Sequence, residues 1–440
     1  VSLRFGTDGI RADARDVLTT SVVAALGRAG AEVLGPHGLA VGRDTRASGP
    51  SLAAALHAGV LAAGGGSVDL GVVPTPAVAL WCAREGVAGA MVSASHNPWH
   101  DNGIKFFAPG GRKLGDDVQE LIQARFDELL HDGDTPTVAE GEDRHAEAVA
   151  RHVDAIVSSL EGRSLAGLRI VADAANGAAS TVAGQVFARL GADVEVIHDG
   201  PDGHNINDGC GSTHPEDLQA AVRDRSADLG VAFDGDADRL VAVDGGGRIV
   251  DGDQVIAICA LDRHARGLLA GDAVVVTVMT NLGFRRSMEA AGIRVVDTKV
   301  GDRYVLEALD ADGYTLGGEQ SGHVIFRDLA STGDGVLSAV QLLDVVARTG
   351  RSLADLADTS MTRLPQVLRN VRVAERPDDV DAALAPHVAA SMARMADRGR
   401  VLIRPSGTEP LIRVMVEAET DEEARREADS LVAAVESLFT

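Results

Sequence analysis

The sequence predicts an α/β protein of four domains: three successive α/β domains and a smaller α+β C-terminal domain. Three observations carry this. Strand-like apolar runs alternate with helical periodicity in three consecutive regions, the pattern of sheets covered by helices. A chain of 440 residues is too long for one ordinary core. After Leu364-Pro365 the order changes to strand, helix, strand, strand, helix. The expected bounds are 1–143, 144–253, 254–364 and 365–440.

In the first region Leu39-Ala-Val41 reads as a strand, and Ser48-Gly-Pro50 opens a helix that runs to the Gly64-Gly-Gly66 stop. Asp69–Val73 is another strand, and Pro74-Thr-Pro76 opens the helix carrying Trp81 and Cys82. Ala88–Val92 reads as a buried strand, and a short apolar run, Ile104–Phe107, precedes the turn at Pro109-Gly-Gly111. The loop between them offers the Ser95 hydroxyl beside His96 and Asn97, then the Lys105 amine. These are the parts of a nucleophile with orienting groups and an acid or base. Side chains adjacent in sequence usually point apart, so Ser95 and His96 are not expected to pair directly, and no G-x-S-x-G elbow surrounds the serine. A hydrolase triad is not indicated.

Read whole, Ser93-Ala-Ser-His-Asn-Pro98 with Asp101-Asn-Gly-Ile-Lys105 resembles the phosphoserine loop of the α-D-phosphohexomutases, which move a phosphoryl group between the 1- and 6-positions of a hexose. The resemblance implies three α/β mixed-sheet domains and the smaller fourth one around a central cleft, with Ser95 as phosphodonor and Lys105 as acid or base. The loops Arg4–Arg11 and Gly42–Ser48 would border that cleft, Arg11 helping to hold the phosphoserine. The family has glycine after this arginine where the chain has Ala12, a residue that a positive φ would strain.

Residues 132–142 are polar and suit a connection between domains; Arg144–Leu160 then has apolar residues at helical spacing. Leu168–Ala172 and Ala192–Ile197 read as strands around a helix over Ser180–Leu190. The region ends in Val231-Ala-Phe-Asp-Gly-Asp-Ala-Asp-Arg239, where a strand delivers Asp234, Asp236 and Asp238. Hard oxygen ligands at this density suit Mg²⁺. An EF-hand fails, because its turn glycine would fall at Arg239 and its closing glutamate at Gly245. A haloacid-dehalogenase-type phosphatase also places Asp-x-Asp after a strand and stands as an alternative. In the mutases this loop binds the Mg²⁺ that also touches the serine phosphate, so the resemblance implies Ser95, Asp234, Asp236 and Asp238 as ligands and places Arg239 at the reacting centre.

In the third region Gln254–Arg266 has helical spacing, Ala273–Val278 is a β-branched strand and Val295–Gly301 is a strand leaving into a loop. Gly317-Gly-Glu-Gln-Ser-Gly-His323 follows, with Glu319, Ser321 and His323 able to meet sugar hydroxyls. It resembles the mutases' sugar-specificity loop. Its Gln320 form, with Gly209–His214, Gly301–Tyr304 and Ser331–Gly335, looks most like the phosphoglucosamine mutase branch. In the last region Arg404-Pro-Ser-Gly-Thr-Glu-Pro410 lies between two strand-like runs. Its hydroxyls and the flanking arginines suit a phosphate held by charge-assisted hydrogen bonds. The family grips the non-reacting phosphate here, which implies Arg404, Ser406, Gly407, Thr408 and Arg413.

A net charge of −24 argues against a nucleic-acid partner, and an anionic sugar phosphate would need a local cluster of cations. Cys82, Cys210 and Cys259 show no metal or disulfide spacing, and no apolar run reaches membrane-spanning length; a cytoplasmic protein is expected. Neither a Walker loop nor a strand-linked G-x-G-x-x-G is present.

The resemblance, which covers the whole chain, implies an isomerase that interconverts glucosamine 6-phosphate and glucosamine 1-phosphate and feeds UDP-N-acetylglucosamine and cell-wall precursor synthesis. It would work through phospho-Ser95 and a bound hexose 1,6-bisphosphate, also its activator. A homodimer is among the assemblies it allows. The alternatives are a phosphoglucomutase or phosphomannomutase, a sugar-phosphate-binding paralogue without turnover, and a phosphatase.

Overall fold

Short, fully buried apolar strands set the layout. Ala88–Val92, Leu229–Phe233 and Ala273–Thr277 are buried at every position. Each runs parallel to a neighbouring strand, as expected of strands covered on both faces. The computed structural model describes residues 3–6, 9–35, 37–132, 136, 138–373, 380–405 and 410–439.

Four sheets are built among the described residues. The first has seven strands, ordered Ile10–Asp13, Asp101–Ala108, Ala88–Val92, Leu39–Arg43, Ser67–Val72 and Glu142–Asp143, with Arg112–Lys113 beside Asp101–Ala108. The second has five: Ile249–Val250, Leu240–Asp244, Leu229–Phe233, Arg169–Asp173 and Asp193–Ile197. The third has four: Arg294–Thr298, Ala273–Thr277, Leu316–Gly318 and Val324–Phe326. These three sheets mix parallel and antiparallel pairs, and helices such as Thr20–Leu34, Gly252–Ala265 and Gly335–Thr349 supply the apolar faces that cover them. One device recurs in all three. A strand with a parallel neighbour in its sheet ends in a loop and returns as its antiparallel neighbour, with Val92 opposite Ile104, Phe233 opposite Leu240, and Gly318 opposite Val324. Each of these loops holds one of the motifs singled out above. They lie at the carboxyl ends of strands, where open α/β sheets place ligands.

Backbone contacts divide the chain into two compact units. One comprises residues 1–279 and 293–359; the other comprises 280–292 and 360–440. The second unit contains the three-stranded antiparallel sheet Gln366–Arg372, Leu411–Glu417, Arg400–Pro405, with helices Val380–Met395 and Asp421–Phe439. The helix Leu282–Ala290 belongs with it. Its first amide, on Leu282, donates to the buried Glu417 at 3.0 Å, and Asn281 accepts from the Leu364 amide at 3.0 Å.

Two elements differ from the sequence reading. The strand expected over Ile104–Phe107 begins at Asp101, because Asp101–Ile104 pairs with Ile10–Asp13, an edge strand whose short polar sequence gives no periodic signal. The helix expected over Ser180–Leu190 is a 3₁₀ turn, Ala178–Thr181, followed by an α-helix, Ala183–Arg189. Among the described residues no helix is long and apolar enough to cross a membrane.

Candidate active site

Ser95 follows the buried strand Ala88–Val92 and sits at φ 52°, an uncommon conformation for a residue with a Cβ. The surroundings hold it there. Its N–H donates to Ser93 Oγ at 2.9 Å, and its carbonyl accepts from Arg46 Nη2 at 2.8 Å and Asn207 Nδ2 at 2.9 Å. Arg46 is almost fully buried. It pairs with Asp44 at 2.9 Å and also donates to the carbonyls of Asn97, Pro98 and Asp101, so one guanidinium gathers the whole loop. The positive φ also turns the Ser95 side chain toward its neighbour: Oγ lies 3.2 Å from His96 Nδ1. The expectation that these adjacent side chains point apart is thereby corrected.

Ser95 Oγ donates to Asp234 Oδ2 at 2.6 Å. Asp234, Asp236 and Asp238 are buried, and a ligand atom from each lies within 4.8 Å of the others. They occupy a loop, not a continuing strand, turned by Ala237 at φ 56°. Lys105 Nζ donates to Asp236 at 2.8 Å and lies 3.6 Å from Asp238; Arg239 Nε is 3.9 Å from Asp238. Thr75 Oγ1 donates to the same oxygen of Asp236 at 2.6 Å. Burial first, then the charges of Asp238 and Asp236, push the Asp234 carboxyl up to about 7. Asp238 is held well below the ordinary range: burial opposes its charge, but Lys105, His323 and Arg239 outweigh it. Burial, with the positive charges of Arg239 and Arg11, lowers His96 to about 4, leaving a neutral imidazole at pH 7.

These residues fit a divalent cation. Asp236 Oδ1 and Asp238 Oδ1 are buried with no hydrogen-bond partner among the described residues, and the ligand atoms are hard oxygens of a size and density suited to Mg²⁺. Because the folded value of Asp234 lies above its ordinary 3.8, its contribution to stability is present below that value and is lost as pH rises through about 7. The metal-free protein therefore carries its largest electrostatic strain at alkaline pH, where protons no longer compete with a cation. The rise in Tm between EDTA and saturating Mg²⁺ is expected to be larger at about pH 8 than at about pH 5.5. Thermal denaturation in the two buffers checks this, and equal increments would rule it out.

The turn Glu319–His323 joins this centre through the backbone, the Leu240 N–H donating to Gly322 O at 2.9 Å. Glu319 accepts from the Gly301 N–H at 3.0 Å, and burial raises its carboxyl above the ordinary value. Gln320 donates to Asp253 at 3.3 Å, while Ser321 is exposed. His323 is not presented to a sugar. It is buried under Gly333, where a Cβ would come within 2.3 Å of its ring, and lies between Asp238 at 3.7 Å and Asp302 at 3.3 Å. Burial disfavours its charge, but the two carboxylates outweigh that and hold its pKa above the ordinary value. Asp302 also pairs with Lys113. Ala12 lies in the edge strand Ile10–Asp13, opposite Asn102, and is not among the positive-φ residues, so alanine is unstrained there. Arg11 stands opposite Gly103 in the same pairing.

In the second unit Arg404 and Arg413 are directly opposite each other on neighbouring antiparallel strands, beside the loop that links them. Like charges so placed repel unless an anion lies between them. Arg413 Nε is buried with no hydrogen-bond partner among the described residues. Ser406, Gly407 and Thr408 lie outside the described residues.

Sequence reasoning missed Thr75 and Asn207, and it held Arg46 and Asp302 only as members of the stretches Gly42–Ser48 and Gly301–Tyr304, without a role for either. Each is brought to the site by tertiary packing from a segment whose local pattern reads as a turn or helix start. Lys113 carried a weak signal as one of only three lysines.

Sequence models of phosphoglucomutase/phosphomannomutase match four successive stretches. The alpha/beta/alpha domains I, II and III match residues 2–131, 143–247 and 251–364, and the C-terminal domain matches 368–434. The chain is 52% identical to the phosphoglucosamine mutase of Frankia alni, over 98% of this chain and 97% of that one. It is 51% identical to that of Moorella thermoacetica, over 95% and 96%. Among solved structures, a phosphoglucomutase/phosphomannomutase family protein from Burkholderia thailandensis matches with a TM-score of 0.81 at 26% identity, over 98% of this chain and 97% of that one. The N-acetylphosphoglucosamine mutase of Aspergillus fumigatus, solved with GlcNAc-6P and magnesium, matches with a TM-score of 0.72 at 21% identity, over 100% and 96%, a likeness of fold. With the serine, carboxylate and sugar loops at equivalent strand ends and all four domains matched in order, the chain belongs to the phosphoglucomutase/phosphomannomutase family.

Proposed function

We propose that this protein interconverts glucosamine 6-phosphate and glucosamine 1-phosphate through a phosphorylated Ser95. The observation that carries the reading is the 2.6 Å hydrogen bond from Ser95 Oγ to Asp234 inside the buried carboxylate triple. The relatives named phosphoglucosamine mutase, half identical over nearly the whole chain, support the choice of sugar.

In the forward half-reaction the free hydroxyl of the sugar monophosphate attacks the phosphorus on Ser95. The bond from phosphorus to Ser95 Oγ breaks, a bond to the sugar oxygen forms, and the hydroxyl proton passes to Lys105, which enters this step as the neutral amine. The bisphosphate then reverses its orientation, and its other phosphoryl group returns to Ser95 as the proton goes back to the freed sugar oxygen. Asp234, Asp236, Asp238 and the serine phosphate would hold Mg²⁺, which neutralises charge on the transferring group when bound. Arg239 adds a fixed positive charge at the same point, and positioning supplies most of the catalysis. Arg46 and Asn207 fix the serine loop, while Arg11 and neutral His96 border the phosphoserine. Glu319, Gln320 and Ser321 would hold the sugar. Arg404 and Arg413, with Ser406, Gly407 and Thr408, would grip the distal phosphate. Buried, widely spaced thiols suit a reducing cytoplasm.

The test is kcat/KM with Mg²⁺ and glucose 1,6-bisphosphate on the phosphorylated enzyme, comparing glucosamine 6-phosphate with the 1-phosphates of glucose and mannose. A preference of about tenfold or more for the amino sugar is expected. Comparable rates on glucose or mannose phosphate would assign the protein to that chemistry instead. Phosphate release without isomerisation would make it a phosphatase, and no turnover on any of them a binding protein.

A further inference from the structure

Thr75 is the first residue of the helix Thr75–Glu85, whose opening amides are not capped by any side chain. Both of its donors go instead to a residue 161 positions away. Its backbone N–H, one of the amides that a helix start leaves without an internal partner, donates to Asp236 O at 2.9 Å. Its hydroxyl donates to Asp236 Oδ2 at 2.6 Å. Thr75 and Asp236 are fully buried, so water does not compete for either bond. Lys105 Nζ donates to the same Oδ2 at 2.8 Å, while Oδ1 has no hydrogen-bond partner among the described residues. The two oxygens of this carboxylate are therefore unlike. Oδ2 is held by two donors, and Oδ1 keeps its acceptor capacity, which is rare for a buried polar atom unless a ligand uses it.

We propose that Thr75 is a positioning residue for the cation: by holding Oδ2 it presents Asp236 Oδ1 as the ligand atom. Lys105 does not set this angle by itself. Its ammonium carries three rotatable donors on a flexible stem and also lies 3.6 Å from Asp238, so it can follow the carboxylate when that group turns. Thr75 is fixed at two points, through main chain and side chain, and the residues after it, Pro76 to Ala79, are buried in the helix. The rigid partner sets the orientation. A ligating carboxylate that is itself hydrogen-bonded holds its metal more tightly. Lys105 is neutral at one stage of the proposed transfer and charged at the next, whereas the threonine hydroxyl does not titrate. It keeps Asp236 oriented through both stages. The inference rests on the carboxylate triple holding a divalent cation and does not depend on which sugar the enzyme takes.

Titration of the metal-free, full-length protein with Mn²⁺, which takes the same hard oxygen ligands, tests this through the EPR signal of the free ion. Thr75→Val keeps the branched shape and removes the hydroxyl; Thr75→Ser keeps the hydroxyl. The valine variant is expected to bind Mn²⁺ about tenfold or more weakly and the serine variant within about threefold of wild type. The dependence of kcat on Mg²⁺ supplies a second readout. Valine should raise the Mg²⁺ concentration for half-maximal rate by the same factor and regain most of the wild-type kcat when Mg²⁺ saturates. Thr75→Ala, which cannot crowd the loop, gives the same comparison where valine does not fold. A residue with only a structural role would lower Tm in EDTA and leave the Mn²⁺ Kd unchanged, and that result would overturn the proposal. A serine variant as weak as the valine one would overturn it as well. Wild-type protein that binds no Mn²⁺ would remove the cation site itself, and the role of Thr75 with it.

Discussion

Replacing Ser95 by alanine is expected to lower kcat by about 1,000-fold or more while leaving the fold in place. The hydroxyl is the only group the proposed mechanism phosphorylates, and no neighbour can substitute for it. His96 Nδ1 is 3.2 Å from Oγ, but it belongs to a neutral imidazole whose basicity burial and two arginines have reduced. The structural cost is small by comparison. Alanine removes the donor to Asp234, a carboxyl whose raised pKa lets it keep its proton near neutrality, and the backbone bonds from Ser93, Arg46 and Asn207 remain. Unchanged circular dichroism and retained affinity for glucose 1,6-bisphosphate, with turnover lost, is the expected pattern. A variant keeping more than about a tenth of wild-type kcat would reject the phosphoserine assignment.

The second large effect is on stability. Arg46→Ala leaves the Asp44 carboxylate buried without its partner and releases the carbonyls of Ser95, Asn97, Pro98 and Asp101 together. Removing one member of a buried ion pair costs about 3–5 kcal/mol. The freed loop should also let Ser95 leave its positive-φ conformation, and a misplacement on the order of 1 Å costs about 100-fold in rate. Arg46→Lys separates the two effects. It keeps a charge near Asp44 but cannot make the fork of hydrogen bonds, so it should recover part of the stability and little of the rate. Urea unfolding and steady-state kinetics on both variants check this. Full activity in Arg46→Lys would show that the loop is held by other means.

Much of the site was legible because its motifs are local. Ser95 and the three aspartates sit in short loops after apolar strands, Lys105 lies on the strand that returns from the serine loop, and strand-to-loop transitions are visible as a change from β-branched or apolar residues to Gly, Asp and Ser. His323 shows the limit of that reading. A histidine in a glycine-rich loop offers a donor and an acceptor on paper, yet its place between Asp238 and Asp302 follows from Gly333 packing on its ring, a contact between segments that pair nowhere in sequence. The 3.2 Å approach of Ser95 and His96 was hidden for a different reason: it depends on one backbone dihedral that the loop adopts only because Arg46 and Asn207 hold its carbonyls.

The sequence by itself determined the class of architecture, the order of the chemical loops and the atoms they offer, because strand and helix periods and the donor set of each side chain are properties of the chain alone. Only the tertiary structure decided which of those atoms meet. Long-range packing brings Thr75, Lys105 and Asp236 to one point, and the register of two consecutive strands sets Arg404 opposite Arg413. Burial then sets the charge states, raising Asp234 while the neighbouring cations hold Asp238 down, because solvent exclusion and charge proximity exist only once the domains are folded.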